Sequence, residues 1–548
     1  MGDRRVLGTD GMVVSRHVHS STIGANVLRQ GGTAIDAAVA VHFAVNVVNP
    51  MSVGIGGGGS LVYYDADADA VYSVDFFPAA PAAATPDQFT DEDGTPVDET
   101  VMLDSGASVA VPGTVKGLVA AHERFGAVRW EDLVAPSVEL ARGGVVVDRH
   151  LADSIADNWE RFNEPAKRAF GRDGTPLSAG DLLRQPALAD TLELIRDRKA
   201  AGFHRGDVAT ALAETVQRHG GELRASDLAA YTVRHAAPLC STYRGVELYN
   251  PPLPITGGFL VPRILTALER FDLGERYGVR SWEKYHAFAE STALAWADRA
   301  EYLGDPAFVD PPLDDLFDPG FIRDRAARIT FDDTVAAYGC ECAEPGEIPR
   351  RTGDERRRSG PPGEESTTHF AVGDRHGNVV AVTSSINKGM GSGLMVPGYG
   401  FLLNNYMSLF DAEPGGPNEV EGGKRPLSST SPTIVMDEGA PSFTAGSPGG
   451  TTIPQTTAQV ILNVVEYGMD LPEAVAEPRI TTDHCGPIEW ERGVPRTARE
   501  TLSESGHQVE DEPSEIGSAN NLLIRDGDYV GGADPRRDCV AIGISNRP

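Results

Sequence analysis

Two periods of apolar residues alternate along this chain, and each change of period marks an element. Val13-Val14-Ser15 reads as a short strand, and Thr22 to Gln30 as a helix stopped by Gly31-Gly32. Thr33 is placed to cap a second helix, Ala34 to Val48, which ends at Asn49-Pro50. That helix is apolar nearly all round, so burial is expected. Its Asp36 reads as a helix-start carboxylate favoured by the dipole. The glycine run Gly54 to Gly59 leads into a strand, Leu61 to Tyr64, and has neither the GKS/T ending nor the following helix of a phosphate loop. It marks backbone that must pass close to another element.

Ala79 to Thr100 is a loop rich in alanine, proline and acids, and a helix starts at Pro112 to Gly117 and runs to about Phe125. From there to about Leu303 the pattern is mostly helical, with capping candidates at Ser178, Ser226 and Ser281. Asp332 to Glu365 is polar and acidic, then carries Arg356-Arg357-Arg358 and Pro361-Pro362, a composition that suits a nick. Period 2 then takes over. A strand opening at Thr367 turns at Asp374 to Asn378 and returns as Val379 to Ser385. Pro432 to Met436 and Ser442 to Ala445 are further strands, Pro454 to Tyr467 is a helix, and Asn521 to Gly531 is a late hairpin. Helix-dense sequence before Thr367 and strand-dense sequence after it predict a sheet sandwich flanked by helices. Length alone allows three or four domains, but the chain has no long linker and no internal repeat, so one large α/β unit is expected.

Composition narrows the partners. The chain holds 79 acidic against 48 basic residues, a net charge of −31, and six of the basic residues are lysine. Nucleic-acid binding is disfavoured, because phosphate neutralisation needs basic surface. A solvated acidic surface suited to high salt, hence a halophilic origin, is the expectation. The five cysteines, among them Cys340 and Cys342, have neither CxxC nor zinc spacing. Arg4-Arg5 hints at twin-arginine export, but no apolar stretch follows, and Ala34 to Val48 is too short to span a bilayer. A soluble cytoplasmic protein without membrane contact is expected.

The chemistry centres on Glu365-Ser366-Thr367-Thr368-His369. Taken alone, this stretch is an ordinary hydroxyl-rich hairpin. A chain cut between Ser366 and Thr367 would instead leave an N-terminal threonine. Such a residue carries its own nucleophile and its own base, an α-amine of pKa about 7.7–8.0. Thr383 and Ser385 on the returning strand are expected to hydrogen-bond Thr367. Ser428-Ser429 supplies adjacent hydroxyls, and Gly449-Gly450 precedes a helix whose free N–H groups would form an oxyanion hole. Neither an HExxH motif nor a GxSxG elbow is present.

Thr367 to Phe370, Gly377 to Thr383, Leu402 to Asn405, Lys424 to Pro432 and Gly446 to Gly450 together resemble the small subunit of γ-glutamyltransferases, the glutathione hydrolases. Gly31 to Ala40, Gly56 to Gly59, Pro112 to Val115 and Ala297 to Pro306 resemble their large subunit, in order and over nearly the whole chain. The resemblance implies an α+β N-terminal-nucleophile hydrolase with a four-layer αββα sandwich, self-cleaved at Ser366/Thr367 into a large subunit (1–366) and a small one (367–548). Thr367 would attack a γ-glutamyl amide and Gly449 and Gly450 would hold the oxyanion. Ser385 would support Thr367, and Asn387, Ser428 and Ser429 would hold the head group. The acyl group would pass to water or to an amino acid or peptide acceptor. No metal or organic cofactor is implied.

Two positions depart from the pattern. The family grips the glutamyl α-carboxylate with an arginine where this chain has Pro86, and the α-amine with an aspartate where it has Leu409; Tyr406 stands where glutamine or glutamate is usual. A loop shift that would let Asp411 substitute for Leu409 is not expected. Proline and leucine cannot make charge-assisted bonds to a zwitterionic head group. The segment Phe410 to Arg425 is short, as in members lacking a lid loop. The alternatives are therefore an amidase of the same superfamily with another acyl group (glutaryl, poly-γ-glutamate or oxamate-like), and a non-catalytic binding protein on the same fold.

Overall fold

The computed structural model describes residues 5–335, 366–482 and 486–545. The arginine and proline runs before Glu365, and Cys340, Cys342 and Cys485, lie outside the described residues.

Fourteen strands form two seven-stranded sheets. In chain order they are β1 (Val6–Gly8), β2 (Gly11–Ser15), β3 (Gly58–Asp65), β4 (Ala70–Asp75), β5 (Arg234–Ala236), β6 (Leu239–Tyr243), β7 (Val246–Asn250), β8 (Thr368–Asp374), β9 (Val379–Ser385), β10 (Thr433–Asp437), β11 (Ala440–Ala445), β12 (Asn521–Arg525), β13 (Asp528–Gly532) and β14 (Val540–Ile544). One sheet runs β14-β2-β8-β9-β3-β4-β5 and the other β1-β13-β12-β11-β10-β7-β6. All the pairings in both are antiparallel. Each sheet takes strands from both sides of residue 366.

Side-chain alternation builds the layers. In β2 and β8, Val13, Phe370 and Val372 face a core shared with the helix Ala34–Val48. Their neighbours Met12, Val14 and Ala371 face the second sheet, where Ile434, Met436 and Leu522 meet them. The outer face of that sheet, through Val435, Phe443 and Leu523, packs on the helices Gly257–Leu268, Trp282–Tyr302 and Ile453–Val465. The order is helix, sheet, sheet, helix: the four-layer αββα sandwich.

Ala34–Val48 has the expected bounds because its ends are chemically fixed. Thr33 and Asp36 close a reciprocal capping box, and every residue of the helix is buried. Asp36 also accepts the backbone N–H groups of Ala127 and Val128. The glycine run is a close approach: a Cβ on Gly57 would lie 2.1 Å from the Ser385 carbonyl oxygen.

Several expectations need correction. The first helix begins four residues earlier than its apolar period, at Val18, capped by His17. Of the three serine caps only Ser281 works, accepting from Lys284 N–H. Ser226 lies inside the helix Ala225–Ala230, and Ser178 precedes no helix. The supposedly helical stretch to Leu303 also contains β5, β6 and β7. Among the described residues no helix is long and apolar enough to cross a membrane.

Candidate active site

The β8–β9 hairpin fixes the geometry of the site. Its register pairs Thr368 with Ser384 and His369 with Thr383. One step further, where β8 begins, Thr367 comes opposite Ser385. Thr367 Oγ lies 3.1 Å from Ser385 Oγ and 2.7 Å from the carbonyl oxygen of Ser366. Ser385 Oγ is 2.5 Å from the same carbonyl oxygen and accepts Asn387 N–H at 2.8 Å. With the Ser385 hydroxyl donating to the Ser366 carbonyl, the single Thr367 hydroxyl proton is shared between that carbonyl and Ser385 Oγ. Ser366 itself is anchored, its hydroxyl donating to the Met51 carbonyl at 2.7 Å. Both Ser366 and Thr367 are buried.

Thr383 does not serve Thr367 as expected. The register turns it to His369, whose Nδ1 lies 2.9 Å from Thr383 Oγ. His369 is fully buried, and burial pushes its pKa down to about 3, so the ring is neutral.

Gly446 to Gly450 form a strap between β11 and the helix Ile453–Val465, entered through a short turn, Gly450–Thr452. Gly449 and Gly450 have φ of +134° and +58°, values that a side chain would strain. Ser429 Oγ donates to the Gly450 carbonyl at 2.7 Å, tying the serine pair to the strap. Ser428 Oγ pairs with Thr430 Oγ at 3.1 Å, and its carbonyl accepts Thr256 N–H at 2.6 Å.

Asn387, in a left-handed conformation at φ +78°, links the hairpin to the turn Tyr406–Leu409. Its amide nitrogen donates to the Asn405 carbonyl and to Ser408 Oγ, each at 3.0 Å. Tyr406 is buried edge-on to Phe77, with ring centroids 4.5 Å apart. Among the described residues its hydroxyl makes no well-formed hydrogen bond; burial raises its pKa, and a looser contact with the Ser385 hydroxyl opposes that rise. Leu409 packs on an apolar cluster that includes Phe77, Phe89, Tyr406, Met407 and Phe410. Pro86 is exposed. Asp411 Oδ1 accepts from Asn418 Nδ2 at 3.4 Å, and its backbone N–H donates to the Asn418 carbonyl at 3.0 Å.

Sequence reasoning missed three supports. Asn404 bridges the Gly56 and Ala110 carbonyls at 2.7 and 2.9 Å. Asn405 receives Lys388 N–H at 3.1 Å. Arg161 reaches the Gly389 and Gly391 carbonyls at 3.1 and 2.7 Å, bracing the loop after Asn387 from a distant helical segment. Only the Asn404-Asn405 pair left a signal, as adjacent amides beside a strand; nothing local marks Arg161. The assembled site offers a hydroxyl nucleophile, a second hydroxyl on the neighbouring carbonyl, and a glycine strap. That set suits acyl transfer.

Comparison with known proteins agrees. The Gamma-glutamyltranspeptidase family model matches residues 20–544. The glutathione hydrolase proenzyme of Bacillus subtilis (strain 168) is 42% identical over 544 residues, which is 98% of this chain and 92% of that protein. The acylase ACY 1 proenzyme of Pseudomonas sp. (strain SE83) is 34% identical over 550 residues, covering 98% of this chain and 94% of that protein. Among solved structures, a cephalosporin acylase from Bacillus halodurans superposes with a TM-score of 0.88 at 23% identity, over 100% of this chain and 98% of that one, and so shares the fold. The chain belongs to the gamma-glutamyltranspeptidase family.

Proposed function

We propose that this chain is a self-processing amidohydrolase and acyltransferase of the γ-glutamyltransferase type, with Thr367 as its N-terminal nucleophile. The observation that carries the reading is that Thr367 Oγ and Ser385 Oγ both lie within hydrogen-bond distance of the Ser366 carbonyl oxygen and of each other. Thr367 Oγ attacks the Ser366 carbonyl carbon. The Ser366–Thr367 C–N bond breaks, the hydroxyl proton passes to the departing nitrogen, and an ester joins Ser366 to Thr367 Oγ. Water cleaves that ester, leaving a Ser366 carboxylate and a Thr367 with a free α-amine.

In the processed enzyme the α-amine takes the Oγ proton as the oxygen attacks a substrate amide. Backbone N–H groups of Gly449 and Gly450 hold the oxyanion. The proton is then given to the leaving amine, and the acyl group waits on Thr367 until water or an acceptor amine removes it. Ser428, Ser429 and Asn387 line the acyl side. We infer that the two chains stay together after cleavage, since each sheet is built from both.

A second reading concerns the acyl group, and a specific observation favours it. Position 409 is a leucine in an apolar cluster, and Pro86 faces solvent. Neither grips a charge, which favours acyl groups without an α-ammonium, such as glutaryl. Turnover of γ-glutamyl-p-nitroanilide against glutaryl-p-nitroanilide by processed protein separates the two. A γ-glutamyl preference supports the γ-glutamyltransferase reading, a glutaryl preference the acylase reading, and no turnover of either overturns both.

A further inference from the structure

Across the inter-sheet gap from the nucleophile strand, the first residue of the glycine strap rests on a side chain that the mechanism does not use. A Cβ on Gly446 would lie 2.1 Å from His369 Cε1 and 2.5 Å from each of its ring nitrogens. The ring therefore lies flat against Gly446, and only glycine fits there. His369 is two residues beyond Thr367, which directly precedes β8, so if the alternation of the strand continues the two side chains share a face. Three further bonds close the frame. Thr383 holds the ring from β9 at 2.9 Å. Asn520 Nδ2 donates to the His369 carbonyl at 3.2 Å, and Asn521 Nδ2 to the Gly446 carbonyl at 3.3 Å. Further along the strap, Ser518 N–H donates to Ser447 Oγ at 2.9 Å.

We propose that His369 is a positioning residue: its ring is the spacer that sets the distance between the Thr367 hydroxyl and the oxyanion-holding strap. This rests on the function proposed above. The ring takes no proton during turnover. Its neutrality follows from burial between the sheets, and its contribution is bulk against Gly446 plus one bond to Thr383. Both acylation and deacylation form an oxyanion at the same strap, so a spacer acts chiefly on kcat; Ser429, bonded to the strap, is the acyl-side residue that would follow it, so ground-state binding changes little.

The test compares wild type, His369→Ala, His369→Phe and Gly446→Ala, each assayed with the better p-nitroanilide substrate and each crystallised. Removing the ring is expected to lower kcat about 10- to 100-fold, the scale of a misplacement near 1 Å. KM should stay within about twofold, and the strap should be displaced toward β8. His369→Phe restores the bulk and recovers most of kcat. Gly446→Ala pushes the strap away and lowers kcat again. Wild-type kinetics judge the proposed function by themselves. The crystallographic comparison judges the spacer even if wild type turns over neither substrate. An unmoved strap in His369→Ala overturns the spacer, as does a loss carried by KM or a His369→Phe variant no better than alanine.

Discussion

Ser385→Ala isolates the chemistry of self-cleavage from the fold that hosts it. Ser385 Oγ lies 2.5 Å from the Ser366 carbonyl oxygen, the atom that becomes negative as Thr367 attacks, and 3.1 Å from the attacking oxygen. Removing one oxyanion donor typically costs about 2.7–4 kcal/mol of transition-state stabilisation, a rate loss of about 10²–10³. The ground state loses less. Asn387 N–H gives up its acceptor, and an unsatisfied buried donor costs about 1–3 kcal/mol. The variant should fold and cleave slowly. The assay is a time course of precursor and products by intact mass, beside a thermal melt of a Thr367→Ala background that cannot cleave. In that background, adding Ser385→Ala should lower the melting temperature modestly. A folded Ser385→Ala precursor that matures within threefold of the wild-type rate would refute the role given to this hydroxyl.

Other outcomes follow from the same geometry. Tyr406→Phe deletes a buried hydroxyl without a well-formed hydrogen bond among the described residues, so stability should hold or rise slightly while KM for the acyl donor increases; a destabilisation above about 1 kcal/mol would mean that its contact with Ser385 is a full hydrogen bond. Leu409→Asp introduces a carboxylate into the apolar wall beside the site and should shift kcat/KM toward γ-glutamyl over glutaryl donors by about tenfold, the effect of about 1.4 kcal/mol; an unchanged ratio removes residue 409 from the acyl pocket. His42, His204, His369 and His507 are buried, and burial holds their pKa values down to about 4, 3, 3 and 3. Depressed histidines stabilise the fold above their ordinary pKa of about 6.5, and that stability is lost as pH falls, by up to about 1.4 kcal/mol per pH unit for each ring. Buried Glu290, raised to about 7, works in the opposite direction between pH 4.5 and 7, but one carboxyl does not offset four rings. Denaturant melts from pH 7 to 5 should show falling stability, and His204→Gln should reduce the slope; a flat profile would contradict the neutral buried rings.

What the sequence disclosed depended on how local the cause was. Ala34–Val48 and the hairpin after Thr367 were legible because caps and turns lie within a few residues of the elements they bound. The hairpin register also places Ser385, rather than Thr383, opposite Thr367, so the misplacement of Thr383 was avoidable by counting from the turn. Strands β6 and β7 were lost in a helical background because β6 lies at a sheet edge with exposed residues and a weak apolar alternation. The pairing of β2 with β14 joins residues more than five hundred positions apart, which no local pattern encodes. The spacer role of His369 was hidden for the same reason: it depends on Gly446 from the opposite sheet. Pro86 and Leu409 stood out in sequence only against the family pattern that the chain resembles, which has an arginine and an aspartate at those positions.

The most direct test of the account is intact mass spectrometry of the purified protein beside Thr367→Ala. Two chains that meet between Ser366 and Thr367 in the wild type, with the variant uncleaved, are the predicted result. A single wild-type chain after prolonged incubation, or a cut at any other bond, would contradict the assignment of Thr367 as the nucleophile.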